Sequence, residues 1–169
     1  SHREEEKYLV SYILDPTPEI REALQYAAKK LNLKLINMLD GIQAKFENNK
    51  EKLNLENVVE GLETQDWLYY LKHSEFVITD SCHGASFALV FQRPFVCIGN
   101  RGRGLDRFES LTKLFQIEDR YILDPKKIME DERLLTPMDY DKIQQIMESE
   151  RERSWKWLKN ALSYKKEIP

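Results

Sequence analysis

Cysteine is scarce in this sequence, long apolar runs are missing, and there is no surplus of positive charge. Each lack closes off a class of reading. Only Cys82 and Cys97 occur, in no metal-ligand spacing. A disulfide-rich scaffold and a thiolate metal centre are therefore not expected, and a reducing cytoplasm is the simpler setting. No apolar stretch approaches the length of a membrane span, and the opening SHREEEKY is polar rather than a secretory leader. The 26 basic residues are outnumbered by 29 acidic ones, for a net charge of −3. A nucleic-acid partner would require the opposite balance. Internal repeats and low-complexity segments are also absent.

What remains is 169 residues, 41% of them hydrophobic and 33% charged, which fits one soluble globular domain. A chain of this length buries enough surface to fold without metal or disulfides.

Residues 7–14, KYLVSYIL, read as a strand buried on both faces. Asp15-Pro16-Thr17-Pro18 breaks it, with Thr17 as N-cap and Pro18 at the first helical position. Ile20, Leu24, Ala27, Ala28 and Leu31 then recur at helical spacing. Residues 34–39 form the next strand. Residues 40–56 are polar and lysine-rich, a long loop or a marginal helix, and a short strand near Val58-Val59 is possible. Thr64 is read as the cap of a helix ending near Ser74. Residues 76–79 are a strand, 81–92 a helix, 94–98 a strand, 107–115 a helix and 121–123 a last strand. From Met138 one long helix runs to Tyr164. Continuous apolar strands alternating with helices predict an α/β domain, a mostly parallel sheet covered by helices.

The chemistry concentrates in TDSCHG, residues 79–84, and NRGRG, residues 100–104. Both follow apolar strands, and ligands of open α/β sheets bind outside the carboxyl ends of strands. Asp80, Ser81 and Gly84 sit where a helix begins. Its free amides and dipole favour a phosphate or carboxylate, and Gly84 would let a ligand approach the backbone. His83 could donate a hydrogen bond there or move a proton near neutral pH. If the two strands are neighbours, Arg101 and Arg103 converge on the same place, and arginine grips such anions bidentately. The plain alternative is a helix cap followed by solvated loop charges.

Other features have blander readings. Cys82 and His83, adjacent on a turn, point apart, so a Cys–His nucleophile is not expected and both cysteines are assigned to the core. His73 reads as a cation at a helix C-terminus, Asp15 as a turn residue before Pro16 that could also line this edge, and Trp67 as core. Trp155 and Trp157 lie on opposite sides of the final helix, so both cannot face one core.

Taken together, LDPTPE (residues 14–19), VITDSCHGASFALVFQRPFVCIGN (77–100) and RFESLTKLF (107–115) resemble the polysaccharide pyruvyl transferase family. The resemblance extends to about Asp124. It implies a three-layer Rossmann-like domain with a long C-terminal helix, forming the C-terminal half of a two-domain, GT-B-like enzyme whose N-terminal domain is absent. The implied reaction is transfer of pyruvate from phosphoenolpyruvate to a sugar of a cell-surface or capsular polysaccharide precursor, as a ketal. No cofactor or metal is implied. His83 matches the family histidine implicated in acid–base catalysis, while Ser81 stands where some members carry an arginine, leaving the anion to Arg101 or Arg103. The implied partners are the absent half, the donor and a free or lipid-linked saccharide. The setting is the cytoplasm, up to the inner membrane face, with no transmembrane segment. The isolated half is expected to be inactive, with the acceptor docking on the absent half. Two other functions fit the same residues: a GT-B glycosyltransferase using a nucleotide-sugar, and a non-catalytic anion-binding module.

Overall fold

A computed structural model describes residues 6–163. Five parallel strands form one sheet: β1 (Tyr8–Ile13), β2 (Lys34–Leu39), β3 (Phe76–Thr79), β4 (Phe95–Ile98) and β5 (Tyr121–Ile122), in the order β2-β1-β3-β4-β5. Every residue of FVIT in β3 and FVCI in β4 is buried, as expected of strands covered on both faces. Seven α-helices surround the sheet: α1 (Pro18–Leu31), α2 (Ala44–Leu53), α3 (Thr64–His73), α4 (Cys82–Val90), α5 (Asp106–Phe115), α6 (Lys127–Glu130) and α7 (Tyr140–Ser163). On one face Ile20 and Leu24 of α1, Leu53 of α2 and Ile128 of α6 pack against Leu9 and Ile78. On the other, Leu71 of α3, Leu89 of α4, Phe108 of α5 and Ile143 of α7 pack against Val10 and Val77. The result is the three-layer Rossmann-like arrangement.

The chain starts in the middle of the sheet, steps out to β2, and returns past β1 to β3. The order therefore reverses between β1 and β3, and the connections leave to opposite faces there. A crevice opens at that point, at the carboxyl ends of the strands.

Local sequence explains most boundaries. Thr17 caps α1, its Oγ1 accepting from the Ile20 amide at 3.2 Å, with Pro18 following as expected. Asn32, in the left-handed region at φ 52°, ends it. Val58 makes only an isolated bridge to Asn37. The structure decides one open reading in favour of a helix, moves one cap and adds one short helix. The polar stretch after β2 contains the helix α2, whose Asn49 is buried and donates from Nδ2 to the carbonyls of Leu14 (3.2 Å) and Asp40 (3.0 Å). The cap of α3 is Glu63 rather than Thr64, and Asp66 accepts from its amide at 3.2 Å. The short α6 lies between β5 and α7, where no element was expected.

The first turns of α7 are anchored. Ile143 is buried and the Tyr140 hydroxyl donates to the carbonyl of Arg93. From Arg151 onward every described residue of the helix is exposed. Trp155 and Trp157 are 55% and 70% exposed; neither reaches the core. The expected end at Tyr164 lies outside the described residues. No helix among the described residues is long and apolar enough to cross a membrane.

Candidate anion and acid–base site

Asp80 follows β3 and turns back across the crevice to β1. Its Oδ1 accepts from the Leu14 amide at 2.6 Å, and its Oδ2 accepts from the Asp15 amide at 3.0 Å and from Asn100 Nδ2 at 3.2 Å. Both oxygens therefore face donors, and the residue is 3% exposed. Burial pushes its carboxyl above the usual range, against the pull of the two amides. Thr79 adds a second stitch: its Oγ1 donates to the carbonyl of Tyr12 at 2.6 Å and accepts from the Ser81 amide at 3.0 Å. Ser81 is buried and caps α4, its Oγ accepting from the Gly84 amide at 3.4 Å.

Gly84 does not open the backbone to a ligand from the side its Cβ would occupy. A Cβ there would stand 2.5 Å from Thr79 Oγ1, so the missing side chain is what lets α4 pack on β3. Asp80 and Ser81 are likewise building elements of the turn, since their polar atoms are committed to the protein.

The turn presents His83. It is the second residue of α4 and is exposed, with no hydrogen bond or ion pair to any described residue. The amides of Cys82 and His83 beside it are likewise open, as the first turn of a helix leaves them. α4 differs from the other six helices in its charge. Each of the others carries an Asp or Glu in its first turn, while α4 carries none. Asp80, two residues before the helix, is turned toward β1. The positive end of this helix dipole is therefore not offset from within its own first turn.

β3 and β4 are neighbours, so the NRGRG loop does arrive at the same edge. Asn100 caps a 3-10 turn over Arg101–Arg103, its Oδ1 accepting from the Gly102 amide at 3.1 Å. Arg103 is already engaged. Its Nε lies 2.7 Å and its Nη2 3.3 Å from the two oxygens of Asp15, and Nη2 also reaches Asp40 at 3.5 Å. This pairing, led by the Arg103 hydrogen bond, holds the Asp15 carboxyl below its ordinary value. Arg101 is exposed and makes no hydrogen bond or ion pair with a described residue. With Asp15, Thr17, Asp80 and Asn100 it lines a hollow of about 410 Å³.

The edge thus brings Asp80, Asn100, Arg101 and Arg103 together around Asp15, with His83 standing nearby at the start of α4. No hydrogen bond or ion pair joins His83 to either arginine. Sequence reasoning missed Asn100 and read Asp15 chiefly as a turn residue that could also line the edge; each stands two residues past a strand end, the one signal that marks them. Cys97 is buried, as expected. Cys82 is only partly so, and its thiol lines a shallow groove with Arg107 and Leu111. His73 Nδ1 donates to the Tyr69 carbonyl at 2.9 Å, a helix-end contact. Among the described residues no group of three or more His, Cys, Asp or Glu is placed to hold a metal.

Comparison with known proteins bears on this arrangement. No curated protein matches the chain. A solved structure described as a UDP-N-acetylglucosamine 2-epimerase is similar over 97% of this chain at 16% identity, with a TM-score of 0.38, and the chain spans 46% of that structure's length. A model of the polysaccharide pyruvyl transferase family matches residues 2–102 of the 169. That span takes in β1, the crevice, the whole TDSCHG turn with His83, and the NRGRG loop as far as Gly102. The chain that carries this edge belongs to the polysaccharide pyruvyl transferase family.

Proposed function

We propose that this chain is the donor-binding, acid–base half of an enzyme that transfers pyruvate from phosphoenolpyruvate to a saccharide as a ketal. The observation that carries the reading is an exposed, unpartnered His83 beside two open amides, on the one helix whose first turn has no carboxylate. A phosphate placed against those amides would meet the positive end of α4. Arg101, which makes no hydrogen bond or ion pair with a described residue, supplies the cation that Ser81 does not. Arg103 can follow by exchanging Asp15 for the ligand.

In the reaction, His83 delivers a proton to the methylene carbon of the enol. The neighbouring carbon then accepts the first sugar hydroxyl, forming one C–O bond. Its bond to the phosphate oxygen breaks, and a second hydroxyl closes the ketal. The two hydroxyl protons end on the new methyl group and on the departing phosphate, so the balance is one phosphate released per ketal formed. A positioned proton donor is worth roughly 10²–10⁴-fold in such a step, and cationic groups at the departing phosphate add to it. The remainder of the site belongs to the N-terminal domain of a longer protein.

The test is phosphate release by the complete protein supplied with phosphoenolpyruvate and candidate saccharides, with the product examined by NMR for a ketal methyl group. Release that depends on the saccharide and yields the ketal supports the reading. Turnover of a nucleotide-sugar with phosphoenolpyruvate ignored would overturn it.

A further inference from the structure

On the β2 side of the same edge a cleft of about 710 Å³ lies between the loop after β2 and the start of α3. Its walls are Tyr12, Phe46, Trp67 and Ile42, the last 81% exposed at the rim. The charged groups in the lining are two carboxylates, Asp40 and Glu63, and no lysine or arginine is among its lining residues. Asp40 is shared with Lys45 (2.5 Å) and Arg103 (3.5 Å) outside the cleft.

The tryptophan is fixed. Tyr12 and Phe87 stand perpendicular to it, with ring centroids 5.3 and 5.1 Å away. Phe87 lies one turn after His83 on α4, so the two share a helix face. The helix that carries His83 therefore also carries one of the rings packed on Trp67, a wall of the cleft.

This lining selects among ligands. The two carboxylates, although Asp40 is already paired with Lys45 and Arg103, disfavour a phosphate or an enol carboxylate in a lining that has no lysine or arginine of its own. They accept hydrogen bonds from hydroxyl groups, while fixed aromatic rings offer flat apolar surface to the C–H face of a ring. Its volume lies within the range of small-molecule sites. We infer that the cleft is a sugar subsite that holds a neutral pyranose ring of the saccharide acceptor, next to the proton donor. The inference rests on the transferase reading above. It puts part of the acceptor's docking on this chain, where the resemblance had implied the absent half.

The experiment is an NMR titration of this chain with methyl β-galactoside and with N-acetylglucosamine, and separately with phosphoenolpyruvate. The Trp67 indole N–H is buried without an acceptor, so its signal is a sensitive reporter, and Trp155→Phe with Trp157→Phe identifies it. The expected result is saturable movement of the Trp67 indole and of the Ile42 and Thr64 amides with a sugar. In Ile42→Arg, a long cation lies across the two carboxylates from an exposed position that burial does not constrain. The affinity there should fall about tenfold or more. No saturable shift with either sugar up to about 50 mM, where even a millimolar site is filled, overturns the inference. Unchanged affinity in Ile42→Arg also overturns it, as does movement of the cleft signals by phosphoenolpyruvate in competition with sugar. The donor is expected to move the Cys82 and His83 amides instead. Failure of that arm alone defeats the donor reading and leaves the sugar result standing.

Discussion

The two segments that meet at the sheet edge are held by different kinds of bond. In TDSCHG, Thr79, Asp80, Ser81 and Gly84 are buried and the turn is tied into the backbone: the side chains of Asp80 and Thr79 together make five hydrogen bonds, four of them to main-chain groups. NRGRG is exposed and tied through side chains, chiefly Arg103 to Asp15. The first is a rigid platform that aims His83, unpaired among the described residues, outward. The second is an adjustable arm, because an exposed ion pair contributes only about 0–1 kcal/mol and can be traded for a ligand. Proton transfer needs fixed geometry, whereas capture of an anion tolerates movement.

The sharpest way to break this contrast is to remove the group that the platform displays. His83→Ala in the complete enzyme is expected to lower turnover roughly 10²–10⁴-fold and to leave the melting temperature unchanged, since an exposed side chain without partners contributes little stability. Phosphate release and calorimetry on the same sample separate the two effects, and near wild-type activity would defeat the assignment. The platform itself is the next target. Asp80→Asn turns an NH₂ toward backbone donors and should destabilise the fold by about 2–3 kcal/mol, read from urea unfolding of this chain. A loss under half of that would show the carboxylate to be dispensable. Gly84→Ala follows, at about 1–3 kcal/mol, because Thr79 is locked by its two hydrogen bonds and cannot yield to a Cβ 2.5 Å away. Wild-type stability there would mean that α4 can slide.

The smallest effect belongs to the arm. Arg103→Ala should lower stability by no more than about 1 kcal/mol after allowance for solvent screening. Asp15 has a lowered carboxyl pKa in the fold, so the unfolded chain binds its proton at a higher pH. The stabilisation is therefore complete above the ordinary aspartate value near about pH 4 and disappears as the pH falls through the lowered one. Unfolding curves of the two proteins should converge in that acid window, and a gap that persists there would assign the effect to packing instead.

The alternation of strands and helices was legible because buried parallel strands must be apolar on both faces, and FVIT and FVCI are. The crevice was legible only in outline. Strand order depends on where each crossover lands, and no residue in β1 or β3 encodes that they are neighbours. α2 was obscured because its apolar positions are few and its buried anchor, Asn49, is polar. His83 and the arginines could be singled out by residue type and position after a strand. What could not be read was that Asp80 and Gly84 serve the turn itself, or that Arg103 is occupied. The roles of Asp80 and Arg103 depend on residues some 65 to 88 positions away, and that of Gly84 on how closely its helix packs on Thr79.

One consequence remains in the long α7. Residues 151–163 are exposed throughout and continue a helix whose first turns are fixed to the domain. At 1.5 Å per residue that is a rod about 20 Å long. A compact domain of this length has a radius of gyration near about 15 Å. The chain should therefore scatter X-rays as a sphere with a spike, with a maximum dimension too large for its mass and slower, anisotropic tumbling in solution.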